Sequence, residues 1–279
     1  MKIGYYPGCS LTGSSREYNE SVVALAKALE IELVEIKDWN CCGATAAHVM
    51  NEELSLSLPA RIMAIAEEQG LTEVVVPCAA CYNRLKMTQH DLEDDAKRTR
   101  VVEILKMPYQ GNLKIINVLQ MLEAYGSENI KARVTHPFAH KVACYYGCLL
   151  VRPHSILQFD RVEDPQSMDS LIRVIGGNSL DWAFKTECCG AGFSVSRTDL
   201  VAKLSGNILK DASDRGAEAL IVACPMCQSN LDMRRGAINK TLAQPIDIPV
   251  IYITQAIGMA LGIGALELGL KRHFVNVEL

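Results

Sequence analysis

The sequence predicts an α/β protein made of two pseudo-symmetric domains, each a small, mainly parallel sheet flanked by helices. Three observations predict it: short apolar runs alternate with amphipathic helical patterns, that order of segments occurs twice, and one set of cysteine motifs is written once in each half.

In the first half, Lys2 to Tyr6 is a buried run of strand length. From Ser15 to Leu29 the residues Val22, Leu25, Ala26 and Leu29 recur on one helical face, and Glu32 to Ile36 is the second strand. Beyond a double cysteine, Glu52 to Gln69 reads as a helix that ends at Gly70 and leads into an apolar strand from Glu73 to Pro77. The second half repeats the grammar. Val142 to Tyr146 is its opening strand, Leu200 to Arg215 a helix stopped by Gly216, and Ala219 to Ala223 the strand that delivers the next cysteine. The charged segment from Asp91 to Arg100 is expected to be a solvated helix face.

The repeat is visible residue by residue. Tyr5-Tyr6-Pro7-Gly8-Cys9 returns as Tyr145-Tyr146-Gly147-Cys148, and Asn40-Cys41-Cys42-Gly43-Ala44 as Glu187-Cys188-Cys189-Gly190-Ala191. Val76-Pro77-Cys78-Ala79-Ala80-Cys81 is answered by Val222-Ala223-Cys224-Pro225-Met226-Cys227, and Asn83-Arg84-Leu85 by Ser229-Asn230-Leu231. The turn-like break at His136-Pro137 divides the chain into expected domains 1–137 and 138–279.

Bulk properties narrow the function. A net charge of −4 with no basic cluster disfavours a nucleic-acid partner. Met1 to Cys9 lacks the basic and apolar regions of a secretory signal, so a cytoplasmic location is expected. Ile246 to Leu270 is broken by Asp247, Pro249, Gln255 and Glu267 and reads as strand, turn and helix, so no membrane span is expected. Eleven cysteines in a reducing compartment point to metal binding or redox work.

Cys9, Cys78, Cys148 and Cys224 each follow a predicted strand, at the sheet edge where parallel α/β folds build their sites. The pairs Cys78/Cys81 and Cys224/Cys227 open helices, whose free amides favour thiolate. Gly8, Gly43, Gly147 and Gly190 stand beside the thiols and permit tight turns. Each half thus offers a fivefold set: Cys9, Cys41, Cys42, Cys78 and Cys81, then Cys148, Cys188, Cys189, Cys224 and Cys227. Five thiols exceed the four that saturate a structural zinc, and adjacent cysteines suit separate irons of a cluster better than one small ion. Cys144 falls outside the scheme and is expected to be a buried structural thiol, with replacement of Cys148 as the alternative.

The spacings, Cys-x31-Cys-Cys-Gly-x34-Cys-x-x-Cys and Cys-x39-Cys-Cys-Gly-x33-Cys-x-x-Cys, resemble the CCG-domain pattern. Two copies on a chain of this length resemble the heterodisulfide reductase B subunit. The resemblance implies two CCG domains, each holding a noncubane 4Fe-4S cluster on its five cysteines, with those ten residues as ligands. It further implies disulfide reductase activity within a complex. The mixed disulfide of coenzymes M and B, a substrate of methanogenesis, would be split between the two clusters. A ferredoxin-like subunit of the C type and a flavin-containing subunit of the A type would supply the electrons. Gly262-Ile263-Gly264 lacks the features of a dinucleotide fingerprint, so the flavin belongs to a partner.

Around these sets, His48 is a candidate proton donor six residues after Cys42. Arg84, Arg152, His154 and Arg197 could bind anionic groups, though an ordinary surface role is expected for each. Tyr5, Tyr6, Tyr145 and Tyr146 are expected to pack beside the sites, and Met226 and Met233 to fill the core. Two other functions remain open: an electron-transfer or sulfur-handling subunit of a different oxidoreductase complex, and a zinc-stabilised assembly module without redox activity.

Overall fold

The computed structural model describes residues 1–44 and 46–279 and contains two four-stranded parallel sheets. The first is formed by β1 (Lys2–Tyr5), β2 (Glu32–Glu35), β3 (Glu73–Val75) and β4 (Lys114–Ile116) in the order β2-β1-β3-β4. The second is formed by β5 (Lys141–Tyr145), β6 (Asn178–Ser179), β7 (Ala219–Val222) and β8 (Val250–Tyr252) in the order β6-β5-β7-β8. The α/β architecture with two equivalent sheets is the one the sequence predicts. Every strand pair is parallel, with Gly4 opposite Val74 and Val142 opposite Ala219 in the two inner ladders.

Parallel neighbours need crossovers, and helices supply them. Arg16–Ala28 follows the predicted periodicity and buries Val22, Leu25 and Ala26. Glu52–Glu68 starts where Asn51 accepts a hydrogen bond from the Leu54 N–H, and the chain leaves it through Gly70 at a positive φ. Thr198–Asp214 is its counterpart in the second half. Asp94 caps Asp95–Leu105, so the charged stretch is indeed a helix start with most of its side chains in water. Val74 to Val76 and Ala219 to Ala223 are fully buried, as expected for central strands covered on both faces. Among the described residues no helix is long and apolar enough to cross a membrane.

In both sheets the strand order reverses direction between the first strand and the third, which is the crevice where such folds place ligands. The crevices are locked together around one phenol. Tyr18 is fully buried, stacks on Tyr252 with ring centroids 3.9 Å apart, and reaches both the Pro77 carbonyl at 3.3 Å and the Ala223 carbonyl at 3.4 Å. Those carbonyls immediately precede Cys78 and Cys224. Ser21 and Thr254 add a buried hydroxyl contact of 2.7 Å between the halves, and Asn83 donates to the carbonyls of Leu149 and Arg152.

Candidate functional site

All eleven cysteines are free. Cys9 lies in the short helix Gly8–Thr12 after β1, and Cys78 caps the helix Ala79–Asp91 after β3. The segment after β2 carries Cys41 and Cys42 to the same rim. Cys41 Sγ is 3.6 Å from Cys9 Sγ, and Cys42 Sγ is 3.1 Å from Cys81 Sγ. In the second half Cys189 Sγ is 3.6 Å from Cys227 Sγ, and Cys148 donates a hydrogen bond to Cys188. Both fivefold sets are therefore gathered, and both show the same gradient. Cys9, Cys41 and Cys188 are exposed and Cys148 is half-buried, while Cys42, Cys78, Cys81, Cys189, Cys224 and Cys227 are buried.

Backbone geometry repeats with the thiols. Gly8 and Gly147 have φ of +69° and +68°, and a methyl group on either would stand 3.3 Å from Cys81 Sγ or 3.1 Å from Cys227 Sγ. Glycine is required there by conformation and by the close approach of sulfur. Tyr6 and Tyr145 pack against these glycines and donate to the carbonyls of Asn40 and Glu187, the residues directly before each double cysteine. The expected packing role of these tyrosines thus includes holding the turn that presents two thiols. Gly43 N–H and Gly190 N–H point at Cys41 Sγ (3.5 Å) and Cys188 Sγ (3.3 Å).

The surroundings split the thiols into donors and acceptors. Hydrogen bonds from Cys41 and then Cys81 lower Cys42 to about 4, with the Arg84 guanidinium contributing, while Cys41, which keeps its proton and donates a hydrogen bond to Cys42, is pushed up. Cys188 falls to about 6 through Cys148 and the N–H groups of Gly190 and Ala191. Cys224 falls to about 7 through Cys227 and the N–H groups of Cys227, Met226 and Ala79, against the opposing effect of burial. Ala79 belongs to the other half, so the two sets adjoin where Cys78 and Cys224 meet the Tyr18 hydroxyl.

A cavity of about 590 Å³ opens over the first set. Its floor is Cys9, Cys41, Cys42, Cys78 and Cys81, and its far wall comes from the second half, notably Val195, Met226, Asn230, Met233 and Arg234. The cysteines of the second set do not line it. Met226 and Met233, expected as core filler, are wall residues instead, and Met233 is 42% exposed. Met226 lies within Cys224-Pro225-Met226-Cys227 and Met233 six residues beyond it, and docking of the halves turns both onto the opposite site. Arg234, which sequence reasoning missed, donates to the Ser194 carbonyl and has no ion-pair partner among the described residues.

Of the other candidates, His48 is exposed on the short helix Ala47–Met50 and does not line the cavity. Arg152 pairs with Glu163 and braces Thr186, Arg197 pairs with Asp199, and His154 is exposed. Arg84 departs from the surface role expected of it: it is half-buried, one helical turn after Cys81, and its Nε is buried without a partner. Cys144 is fully buried on β5, its Sγ 3.7 Å from the Ser179 hydroxyl, and burial followed by Asp169 raises it well above the usual thiol range. It contacts none of the ten clustered thiols by hydrogen bond among the described residues.

Sulfur-rich sets in pairs, flanked by amide N–H groups and tight glycine turns, fit a polynuclear iron–sulfur group. Among the described residues no three His, Cys, Asp or Glu side chains converge on one ion-sized point. The thiols are spread as pairs, the arrangement that separate irons can share.

Comparison with known proteins agrees with this architecture. The family model described as CCG, a cysteine-rich domain, matches residues 3–86 and again residues 142–232. A protein of Wolinella succinogenes named 8-methylmenaquinol:fumarate reductase membrane anchor subunit is 31% identical over 99% of this chain and 97% of its own. The B subunit of the ferredoxin:CoB-CoM heterodisulfide reductase of Methanosarcina mazei is 26% identical over 99% of this chain and 95% of its own. A crystal structure of a hypothetical protein from Helicobacter pylori superposes with a TM-score of 0.80 at 12% identity, covering 99% of this chain and 52% of that one. The chain spans about half the length of that protein, and the likeness concerns the fold.

Proposed function

The chain belongs to the cysteine-rich CCG domain family, and from that premise we propose that it is the iron–sulfur subunit of a heterodisulfide reductase-like complex. The observation that carries the proposal is the gathering of five thiols at each of two equivalent crevices, one of them under an open cavity. Cys9, Cys41, Cys42, Cys78 and Cys81 would hold one 4Fe-4S cluster, and Cys148, Cys188, Cys189, Cys224 and Cys227 the other, both of the noncubane type. Such clusters supply one-electron carriers and irons that can take a substrate sulfur.

Reduction of a disulfide to two thiols consumes two electrons and two protons. Electrons arrive singly from a ferredoxin-like partner, fed in turn by a flavin-containing subunit. The chain's own residues define the substrate's place: Val195, Met226 and Met233 give the cavity an apolar wall that suits thioether and alkyl carbon, and Arg234 a cationic spot for an acidic substituent. The mixed disulfide of coenzymes M and B has that chemistry. The complex would work in the cytoplasm.

The fumarate reductase relative supports a second reading, in which the same clusters relay electrons for another oxidoreductase. Metal analysis and turnover separate the readings. About eight irons and eight acid-labile sulfides per chain, with thiol release from the mixed disulfide under a reduced dye, support the reductase. Full clusters without thiol release from any disulfide favour relay, and zinc with little sulfide overturns both.

A further inference from the structure

We infer that Arg84 makes the N-terminal cluster the more easily reduced of the two, so that electrons settle beneath the open cavity; the inference rests on the cluster reading above.

The two halves place a polar side chain at the same point relative to their thiols. Arg84 follows Cys81 by three residues and Asn230 follows Cys227 by three residues, one turn along equivalent helices. Both side chains bear on the second member of the double cysteine, Arg84 through its charge and Asn230 by direct contact. Cys42 lies 3.1 Å from Cys81, on whose helix Arg84 stands, and Arg84 is among the groups stabilising its thiolate. Asn230 donates from Nδ2 to the Cys189 carbonyl at 3.2 Å and lies 3.8 Å from Cys189 Sγ, its oxygen accepting from Ser194.

One half therefore meets its thiols with a full positive charge and the other with a neutral amide. Among the described residues Arg84 has no ion pair and no side-chain hydrogen bond, and its buried Nε has no partner, so its charge is not spent on a carboxylate. Arg234, with no ion pair among the described residues, adds a second guanidinium on the wall of the cavity over the first set. Close in sequence to Cys148 and Cys188, by contrast, Arg152 is paired with Glu163, and Lys185 with Asp164 and Asp169. Reduction adds negative charge to a cluster, and a nearby cation in a partly dehydrated site favours the reduced form.

The test is a spectroscopically monitored redox titration of the loaded full-length protein and its variants, with iron and sulfide measured on each. Wild type is expected to reduce in two resolved one-electron steps. Arg84→Met should lower the upper step at least tenfold in equilibrium constant, 59 mV for one electron, leaving the lower step in place and narrowing the gap. Arg84→Lys keeps the charge and should leave the gap unchanged. Asn230→Asp puts a negative charge beside Cys189, with only its far side on the cavity over the first set, and should lower the lower step more than the upper, widening the gap. An upper step that does not move in Arg84→Met, or that moves equally in Arg84→Lys, overturns the inference while leaving the clusters established. Should Arg84→Met fail to load, Asn230→Asp decides: a wider gap supports the assignment, and an unchanged or narrower gap overturns it. A wild-type protein that takes up no iron and sulfide overturns both the inference and the reading beneath it.

Discussion

Lys185→Met should destabilise the second half by about 3–5 kcal/mol. The Lys185 side chain is 2% exposed and its ammonium lies 2.8 Å from Asp164 and 3.3 Å from Asp169, whose own side chain is 2% exposed. Burial alone would lower the ammonium, but Asp164 and then Asp169 outweigh it and hold it above the ordinary lysine value. The sign follows from that. The stabilisation is complete below the unfolded lysine pKa and is lost only as pH rises through the higher folded one, so it is present in full at neutral pH. At 3.3 Å and an effective dielectric constant near 20, the attraction to Asp169 is on the order of 5 kcal/mol, offset in part by desolvation of both ions. Methionine keeps the packing of the stem but leaves Asp169 buried with, among the described residues, only Tyr146 and Ser179 as side-chain donors. The loss should reach the thiols, because the Lys185 carbonyl accepts from the N–H groups of Tyr146 (2.8 Å) and Gly147 (3.0 Å), which set the turn before Cys148. Urea unfolding followed by circular dichroism measures the loss. The double variant Lys185→Met/Asp169→Asn should recover most of it, since the stranded charge is gone. A single variant that loses under about 1 kcal/mol, or a double variant no better than the single, refutes the argument.

Gly8→Ala forces a non-glycine residue into the left-handed region, about 1–2 kcal/mol, and presses a methyl group on Cys81 Sγ; iron per chain should fall by about half, and Gly147→Ala should do the same to the other set. In metal-free protein, iodoacetamide at pH 7 should modify Cys188 ahead of the equally exposed Cys41, because Cys188 is thiolate above a pKa of about 6 whereas Cys41 is held protonated. The preference should fade as pH falls through 6, and peptide mapping reads it; equal labelling of both would contradict the proton assignment. Tyr18→Phe removes the hydroxyl shared by Pro77 and Ala223 and should cost about 1–2 kcal/mol in a thermal melt, with a larger fall in resistance to separation of the halves than in helix content.

The sequence displays what depends on order along the chain. Strand and helix periodicity, the duplicated motifs and the ten thiols are all local signals, and the sheets bring Cys9 to Cys41 and Cys42 to Cys81 as the spacings require. What it conceals depends on how the halves dock. Met226 lies within the second set in sequence, and Met233 and Arg234 follow it, yet all three wall the first set in space. Lys185 reads as a surface charge, since a lysine gives no sign of the two aspartates, 16 and 21 residues back, that meet it inside. Arg84 looks ordinary in the sequence because its meaning lies in comparison with Asn230, which holds the equivalent place three residues after Cys227.

That comparison bears on why the repeat resides in one chain. A dimer of identical halves would place two copies of any residue about its axis, and a central tyrosine would meet its own image. Here Tyr18, nine residues after Cys9, bridges the Pro77 and Ala223 carbonyls and stacks on Tyr252, which is not its counterpart, since nine residues after Cys148 the chain has Leu157. Its hydroxyl has one proton for two equivalent acceptors, and burial, with Cys224 and Cys78 nearby, keeps that proton in place. Fusion into a single chain thus permits one residue at the axis, a charge at Arg84 with an amide at Asn230, and a cavity over one set of thiols. Two crevices with a common fold can then hold unequal electrons, which a strictly symmetric pair could do only by breaking its symmetry at each turnover.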